Sequence, residues 1–311
     1  MKVAVLAGGR SAEREVSLRS GGEVAEALRR RGHDVRLVDL DARVWETLRD
    51  GGFDCAFVAL HGRLGEDGTV QGMLEILGLP YTGSGVLASA LCIDKSRANR
   101  ALAAAGLDVP DFEELDGAFT GGEAERLLER LGAPVVVKPV REGSTIGLTI
   151  AHEADALADG IMLAARYDRR VMCQRFVKGV EITVGVLAAP VLQVLPTLEI
   201  VSENPVYDYD AKYTPGKSHH IIPARVPEEA TRRAAAAAGD AFQVLGCDGM
   251  ARVDFIVADD GTPWFLEVNT VPGLTPVSLL PDAVRAAGMS FEEFCEAQVR
   301  HALARAGGRT S

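Results

Sequence analysis

An α/β fold opening on a parallel sheet is predicted by three observations. Short apolar runs alternate with helical patterns, glycines close the helical segments, and glycine-bearing loops fall at the carboxyl ends of the runs. The runs are Val3–Ala7, Val35–Val38 and Cys55–Leu60, and the helical segments are Leu18 to Arg31 before Gly32 and Val70 to Leu77 before Gly78. Gly8-Gly9 and His61-Gly62 sit at strand ends, where such sheets gather ligands.

A helix from Asp94 through Leu102 to Ala105 stops at Gly106, with Pro110 beyond it. Val135-Val136-Val137 is a β-branched strand, a glycine-containing loop follows from Glu142 to Gly147, and Leu148–Ile150 is extended again. From strand Ile182–Leu187 onward the pattern gives a hairpin and helices, Ala234–Ala238 among them. The expectation is three units, 1–94, 95–178 and 179–311, α/β at the front and α+β overall.

With 47% hydrophobic and 25% charged residues, the 311-residue chain has material for a full core. A net charge of -11 argues against a general nucleic-acid or anionic-membrane binder, so anionic ligands need local lysines and arginines. Cys55, Cys92, Cys173, Cys247 and Cys295 are odd in number and scattered, without metal-ligand spacing, and read as free thiols of the cytoplasm. The first apolar run is too short for a signal peptide. The longest later one, Val184 to Leu195, is broken by Pro190 and Gln193, so neither export nor a bilayer is expected.

The most informative segment runs from Ala251 to Asn269. Asp260-Gly261 between two β-type runs signals a two-residue hairpin, in which Asp259 pairs with Thr262, Asp254 with Glu267 and Arg252 with Asn269. Strand alternation then gives an apolar face of Val253, Phe255, Val257, Trp264, Leu266 and Val268, and a polar face of Arg252, Asp254, Glu267 and Asn269. Facing carboxylates repel unless a cation lies between them, and hard oxygens beside an arginine suit Mg²⁺ held with phosphates. A solvated edge hairpin is the plain alternative.

Lys138 precedes Pro139 and the loop Arg141-Glu142-Gly143-Ser144-Thr145-Ile146-Gly147, whose backbone amides suit phosphates although no Walker sequence is present. An ordinary hairpin loop satisfies the same pattern. Residues 203–217 lack apolar periodicity but hold Tyr207, Tyr209, Lys212 and Tyr213, as a lid would, and the neighbouring His219-His220 reads as loop rather than metal site. In the loop after the first strand, Glu13 and Glu15 stand near a ligand-binding strand end and suit an ammonium group. Ser17 as a helix cap, with solvated glutamates, fits equally.

Taken together, Gly8-Gly9-x-Ser11-x-Glu13-x-Glu15-Val16-Ser17, Leu60-His61-Gly62 with Gly65-Glu66-Asp67-Gly68, Tyr81-Thr82-Gly83-Ser84-Gly85, Asp94-Lys95, Lys138-Pro139, Arg141 to Ser144, Tyr207 to Tyr213, Arg252-x-Asp254 and Glu267-Val268-Asn269-Thr270 with Pro272-Gly273 resemble the D-alanine:D-alanine ligases of the ATP-grasp class. The resemblance runs along nearly the whole chain. It implies a Rossmann-like pre-ATP-grasp domain followed by two domains that clasp ATP, and a ligase that makes D-alanyl-D-alanine through an acylphosphate for peptidoglycan precursors.

By that resemblance Lys95, Lys138, Glu142, Ser144 and Lys212 would contact the nucleotide, Gln174, Arg175, Phe176 and Val177 its adenine edge, and Glu181 its ribose. Asp254, Glu267 and Asn269 would bind two Mg²⁺ ions, with Mn²⁺ able to substitute. Glu13 would bind the first D-alanine ammonium, with Val16, Ser17 and His61 beside it. Ser144 and Tyr213 would complete that set, and Gly273, Ser278 and Leu279 would receive the second D-alanine. Arg252 and Lys212 would act on the phosphates. Gln174 departs from the acidic residue common in the family, and a homodimer is implied by family habit. A ligase for another carboxylate and amine, or a regulatory nucleotide binder, are the rival readings; an NAD dehydrogenase fails because no G-x-G-x-x-G follows the first strand.

Overall fold

The computed structural model describes residues 1–116, 122–188, 191–202 and 218–308. The first unit holds β1 (Lys2–Ala7), α1 (Arg14–Arg30), β2 (Asp34–Asp39), α2 (Val44–Asp50), β3 (Cys55–Val58), α3 (Thr69–Leu77) and α4 (Val86–Ile93). Its three strands are parallel in the order β2-β1-β3. Burial on both faces explains the unbroken apolar runs of β1 and β3, whereas the edge strand β2 alternates buried Val35 and Val38 with exposed Arg36 and Leu37. α1 begins at Arg14 rather than Leu18, which places Ser17 inside the helix and not at its cap. The Ser17 hydroxyl instead accepts from the Gly8 amide at 2.9 Å and donates to the Ala59 carbonyl at 2.7 Å, tying two strand ends together.

The second group is α5 (Lys95–Ala104), β4 (Phe112–Asp116), α6 (Glu123–Leu131), β5 (Val135–Pro139), β6 (Thr149–Ala151), α7 (Ala154–Ala165) and β7 (Arg170–Arg175). Its antiparallel sheet has the order β4-β7-β5-β6. Leu127 and Leu131 of α6 and Leu157 and Ile161 of α7 pack against Val135, Val137 and Val171, leaving the opposite face to look into a cleft.

Across that cleft stands the third sheet, built from β8 (Gly179–Leu187), β9 (Gln193–Val194), β10 (Leu198–Ser202), β11 (Ser218–Ile221), β12 (Met250–Ala258) and β13 (Pro263–Asn269). Helix α8 (Glu228–Val244) covers its back. Two last helices, α9 (Leu279–Ala286) and α10 (Phe291–Gly308), return to the first sheet, where Leu280, Val284, Phe294 and Val299 share a core with Val3, Val5 and Phe57. His219 and His220, expected in a loop, lie in β11, paired with Val201 and Ile200 of β10. No helix among the described residues is long and apolar enough to cross a membrane.

The hairpin of β12 and β13 departs from the simple count in two places that cancel. Its turn spans three residues, Asp259-Asp260-Gly261, because Ala258 rather than Asp259 bonds to Thr262, and Gly261 takes the left-handed φ of +80° that such a turn requires. A bulge beyond Phe255 then restores the register, so Asp254 faces Glu267 and Arg252 faces Asn269 as expected. Between the two irregularities the faces of β13 are exchanged: Phe265 is fully buried in the core with Phe255, while Trp264 and Leu266 turn away from it. The expected apolar face is therefore corrected at those two positions.

This register is tested by paired substitutions followed by urea unfolding. Phe265→Ala is expected to cost about 3–5 kcal/mol as a fully buried aromatic. Leu266→Ala, on the half-exposed cleft face, is expected to cost under about 1.5 kcal/mol. The reverse ranking would restore the unbulged pairing.

Candidate active site

Between the second and third sheets lies a cavity of about 530 Å³, within the range that holds a nucleotide. Val136, Ile150, Ile256, Leu266 and Leu279 give it apolar walls, and Lys95, Lys138, Glu142, Ser144, Glu181, Arg252, Asp254 and Glu267 give it charge and polarity. Gln174, Arg175, Phe176 and Val177 line one end. The bulge in β13 lets consecutive residues, Leu266 and Glu267, both face the cavity.

Helix α5 is started by Asp94, whose carboxylate accepts from the Arg97 amide at 3.0 Å, and its first residue is Lys95. The Lys95 ammonium donates to the Glu142 carbonyl at 2.6 Å and lies 3.2 Å from the Glu267 carboxylate. Lys138, at the end of β5, is 9% exposed. Burial lowers its pKa to about 8; Glu267 pulls upward and Lys95 downward.

Asp254 is held by Arg252 through two nitrogens, at 2.9 and 2.8 Å, and accepts from the Thr183 hydroxyl at 2.6 Å. Asn269 lies opposite Arg252, and its side-chain oxygen accepts from the Val271 amide at 3.1 Å. The facing acids are thus compensated by Arg252 and Lys95. Among the described residues no three or more His, Cys, Asp or Glu side chains form a metal cluster, so the hairpin itself offers two carboxylates and an amide.

At the far end the loop 142–147 reaches the first sheet. The Ser144 hydroxyl donates to the Glu13 carboxylate, while Ser144 and Thr145 hold left-handed φ values of +51° and +64°. For a β-branched threonine this conformation is strained and needs surrounding contacts to hold it. A Cβ on Gly62 or Gly143 would stand 3.2 or 3.1 Å from a Glu13 oxygen, so both glycines let the loops close around that carboxylate.

His61 is 5% exposed; its Nδ1 lies 3.0 Å from the Val271 carbonyl and 3.3 Å from Glu66, and its Nε2 lies 3.2 Å from the Ser20 hydroxyl. Burial opposes its positive charge, but Glu66 and Glu13 outweigh burial and raise its pKa. Burial pushes the Glu66 and Glu142 carboxyls up, with Glu13 adding to both. Val16 and Ser17 are fully buried beneath this pocket. Ser278 precedes α9, bonded to Thr275 at 2.8 Å, and a Cβ on Gly273 would stand 2.8 Å from its hydroxyl.

Two family models match the chain, one described as the D-ala D-ala ligase N-terminus over residues 2–50 and 45–84, the other as the D-ala D-ala ligase C-terminus over residues 101–300. The chain belongs to the D-alanine–D-alanine ligase family. It is 52% identical over 298 residues to a D-alanine–D-alanine ligase of Anaeromyxobacter sp. (strain Fw109-5), covering 95% of this chain and 94% of the relative. To that of Desulforudis audaxviator it is 51% identical over 305 residues, covering 98% and 99%.

Among solved structures, a D-alanine–D-alanine ligase from Bacillus anthracis complexed with ATP matches with a TM-score of 0.86 at 31% identity, over 99% of both chains. The VanG D-Ala:D-Ser ligase from Enterococcus faecalis matches with a TM-score of 0.82 at 32% identity, over 97% of this chain and 99% of that one. The fold is the multidomain ATP-grasp fold of this family, and the cavity lies between its two clasping sheets.

Within that fold, Lys95, Lys138, Glu142, Ser144, Gln174 to Val177 and Glu181, expected at the nucleotide, line one cavity, and Ser144 and His61, expected at the first substrate, stand near Glu13. Gln174 is 2% exposed and donates to the Asn99 side-chain oxygen at 3.3 Å, an environment that accepts an amide at less cost than a charge. Lys212 and Tyr213, with Tyr207 and Tyr209, lie outside the described residues. Sequence reasoning missed Thr183 as the support of Asp254 and Ser20 as the partner of His61. Strand and helix patterns carry no signal for either, because each contact crosses between elements.

A buried lysine with a lowered pKa is a cost to the fold. Between pH 8 and 10.5 the unfolded chain binds this proton and the folded chain does not, so the Lys138 contribution to stability rises with pH through that window. Lys138→Met is therefore expected to stabilise the ligand-free chain at pH 7 by up to about 3 kcal/mol, with the gain shrinking above pH 8. Thermal unfolding across pH measures this; destabilisation at pH 7 would contradict it.

Proposed function

We infer that the chain condenses two D-alanine molecules into D-alanyl-D-alanine with ATP, through D-alanyl phosphate, releasing ADP and phosphate for peptidoglycan precursor synthesis. The observation that carries this reading is the Ser144–Glu13 contact, which joins a nucleotide-sized cleft bearing Lys95, Lys138 and Arg252 to an acidic pocket suited to an ammonium group. A carboxylate seated from Glu13 toward Arg252 would lie between the two.

In this reading the cavity takes ATP, with Gln174 to Val177 at the adenine edge, Glu181 at the ribose, and Lys95 and Lys138 at the phosphates, joined by Glu142 and Ser144. Glu13 holds the first D-alanine ammonium, while His61, Val16 and Ser17 shape its pocket. A carboxylate oxygen of that D-alanine attacks the γ-phosphorus, the bond to ADP breaks, and an acylphosphate forms. Positioning and charge neutralisation by Lys95, Lys138 and Arg252 do most of this work. Asp254, Glu267 and Asn269 present hard oxygens on one face and fit two Mg²⁺ ions, or Mn²⁺, which would neutralise phosphate charge when bound.

The second D-alanine binds by its carboxylate at Ser278 and Leu279. Its amine attacks the acyl carbon, the C–O bond to phosphate breaks, and the amine proton leaves. Arg252 and the Gly273 backbone are placed to stabilise the oxyanion. The resemblance assigns Lys212 and Tyr213 to a covering loop. A homodimer is part of the proposal, supported by exposed apolar side chains at Ile76 on α3 and Val86 and Leu87 on α4, which are 77%, 41% and 79% exposed. The cytoplasm is the proposed compartment, in keeping with five free cysteines.

The test is phosphate release with ATP and Mg²⁺ in the presence of D-alanine, L-alanine, D-serine, or D-alanine with D-lactate, with products identified by mass. Phosphate with D-alanine alone, plus a dipeptide mass, is expected; Glu267→Gln should cut the rate at least ~100-fold while leaving the unfolding transition in place. Release with a different pair only would overturn the substrate assignment.

A further inference from the structure

The turn between α7 and β7, Tyr167-Asp168-Arg169, and Arg170 at the start of β7 lie outside the cavity lining but touch the cationic machinery at three points. Asp168, 7% exposed, grips Arg141 through both carboxylate oxygens, at 2.9 and 2.8 Å. Arg141 is the residue before the glycine loop. At the loop's other end, Gly147 has φ +71°, and a Cβ there would stand 2.8 Å from the Tyr167 ring. Asp168 also accepts from the Arg170 amide at 3.1 Å, which orders the turn itself.

Arg170 carries the third contact. It pairs with Glu114 through two nitrogens, at 2.6 and 2.7 Å, and with Asp94, the cap of α5. The Asp94–Arg170 pair therefore fixes the helix start that presents Lys95. The backbone reinforces this link: Val140 donates to the Arg170 carbonyl at 3.0 Å, and Lys95 donates to the Val140 carbonyl at 3.2 Å. One short turn thus sets both the loop that carries Ser144 and the lysine that contacts the Glu142 carbonyl.

We propose that Asp168, through Arg141, is a positioning residue that holds the glycine loop closed over the reacting groups, with Arg170 keeping Lys95 in register with it. This rests on the ligase reading given above. The Arg141–Asp168 pair keeps Ser144 against Glu13, so the loop spans the junction of phosphate site and substrate pocket. Loosening the pair opens that junction to water. Water then attacks the acylphosphate, yielding D-alanine and phosphate in place of dipeptide and phosphate.

The distinguishing readout is coupling, measured as phosphate released per dipeptide formed, with KM for ATP alongside it. Wild-type protein is expected to release one phosphate per dipeptide. Asp168→Asn and Arg141→Gln are each expected to raise that ratio to about two or more and to raise KM for ATP about fivefold. The Arg141 side chain is 52% exposed, so its variant keeps the test available if the Asp168 variant does not fold. The double variant should match the worse single one, because both remove the same contact.

A wild-type protein that forms no dipeptide would overturn the ligase reading itself. If the wild type is coupled and a folded Arg141→Gln variant keeps one phosphate per dipeptide with an unchanged KM for ATP, the positioning role is wrong. A fall in rate at constant coupling would mark the pair as a structural support only, and would likewise overturn the proposal.

Discussion

Lys95, Lys138, Glu267 and Asp254 line one cleft from its two sides, and the cost of burying each charge is met by its neighbours. Lys95 and Glu267 stand 3.2 Å apart although α5 and β13 belong to different parts of the chain. Among the described residues Lys138 has no such partner at hydrogen-bond distance, and burial lowers its pKa. A polyanion entering the cavity would supply the missing charge. The ligand-free state is in this sense prepared for phosphate: the fold carries the cost of the buried cation before the ligand arrives.

Several features of the architecture serve that arrangement. Asp94 starts α5 where Lys95 can turn inward, and Arg170 anchors Asp94 from the central sheet. The bulge in β13 turns Leu266 and Glu267 to the same side, one lining the apolar wall and the other facing Lys95. The loop bearing Ser144 and Thr145 holds two non-glycine residues at positive φ, and its strain is retained because Glu13, Lys95 and Asp168 hold Ser144, Glu142 and Arg141 in turn.

Much of this was legible in the sequence, though for uneven reasons. The parallel sheet followed chiefly from the unbroken apolar runs of β1 and β3, since burial on both faces leaves no alternation to misread. The pairing of Asp254 with Glu267 was read correctly from a turn that is one residue longer than expected, and the bulge cancelled the error. Trp264 and Leu266 show the cost of that cancellation, because a bulge has no fixed residue signature and their faces were misassigned. The start of α1 was placed late because Glu13 and Arg14 are polar, while the helix is pinned by Ser17 bonding to two strand ends. Contacts such as Thr183–Asp254, Ser20–His61 and Asp168–Arg141 join elements distant in sequence, and no local periodicity encodes them.

The central claim is that the cleft activates a carboxylate by moving a phosphoryl group onto it. D-alanine labelled with ¹⁸O in its carboxylate tests this directly, by mass analysis of the phosphate released during dipeptide formation. One ¹⁸O atom is expected in each phosphate, because the oxygen that attacks the γ-phosphorus leaves with it when the amine displaces phosphate. Unlabelled phosphate accompanying labelled dipeptide would show that no acylphosphate forms, and would contradict the account.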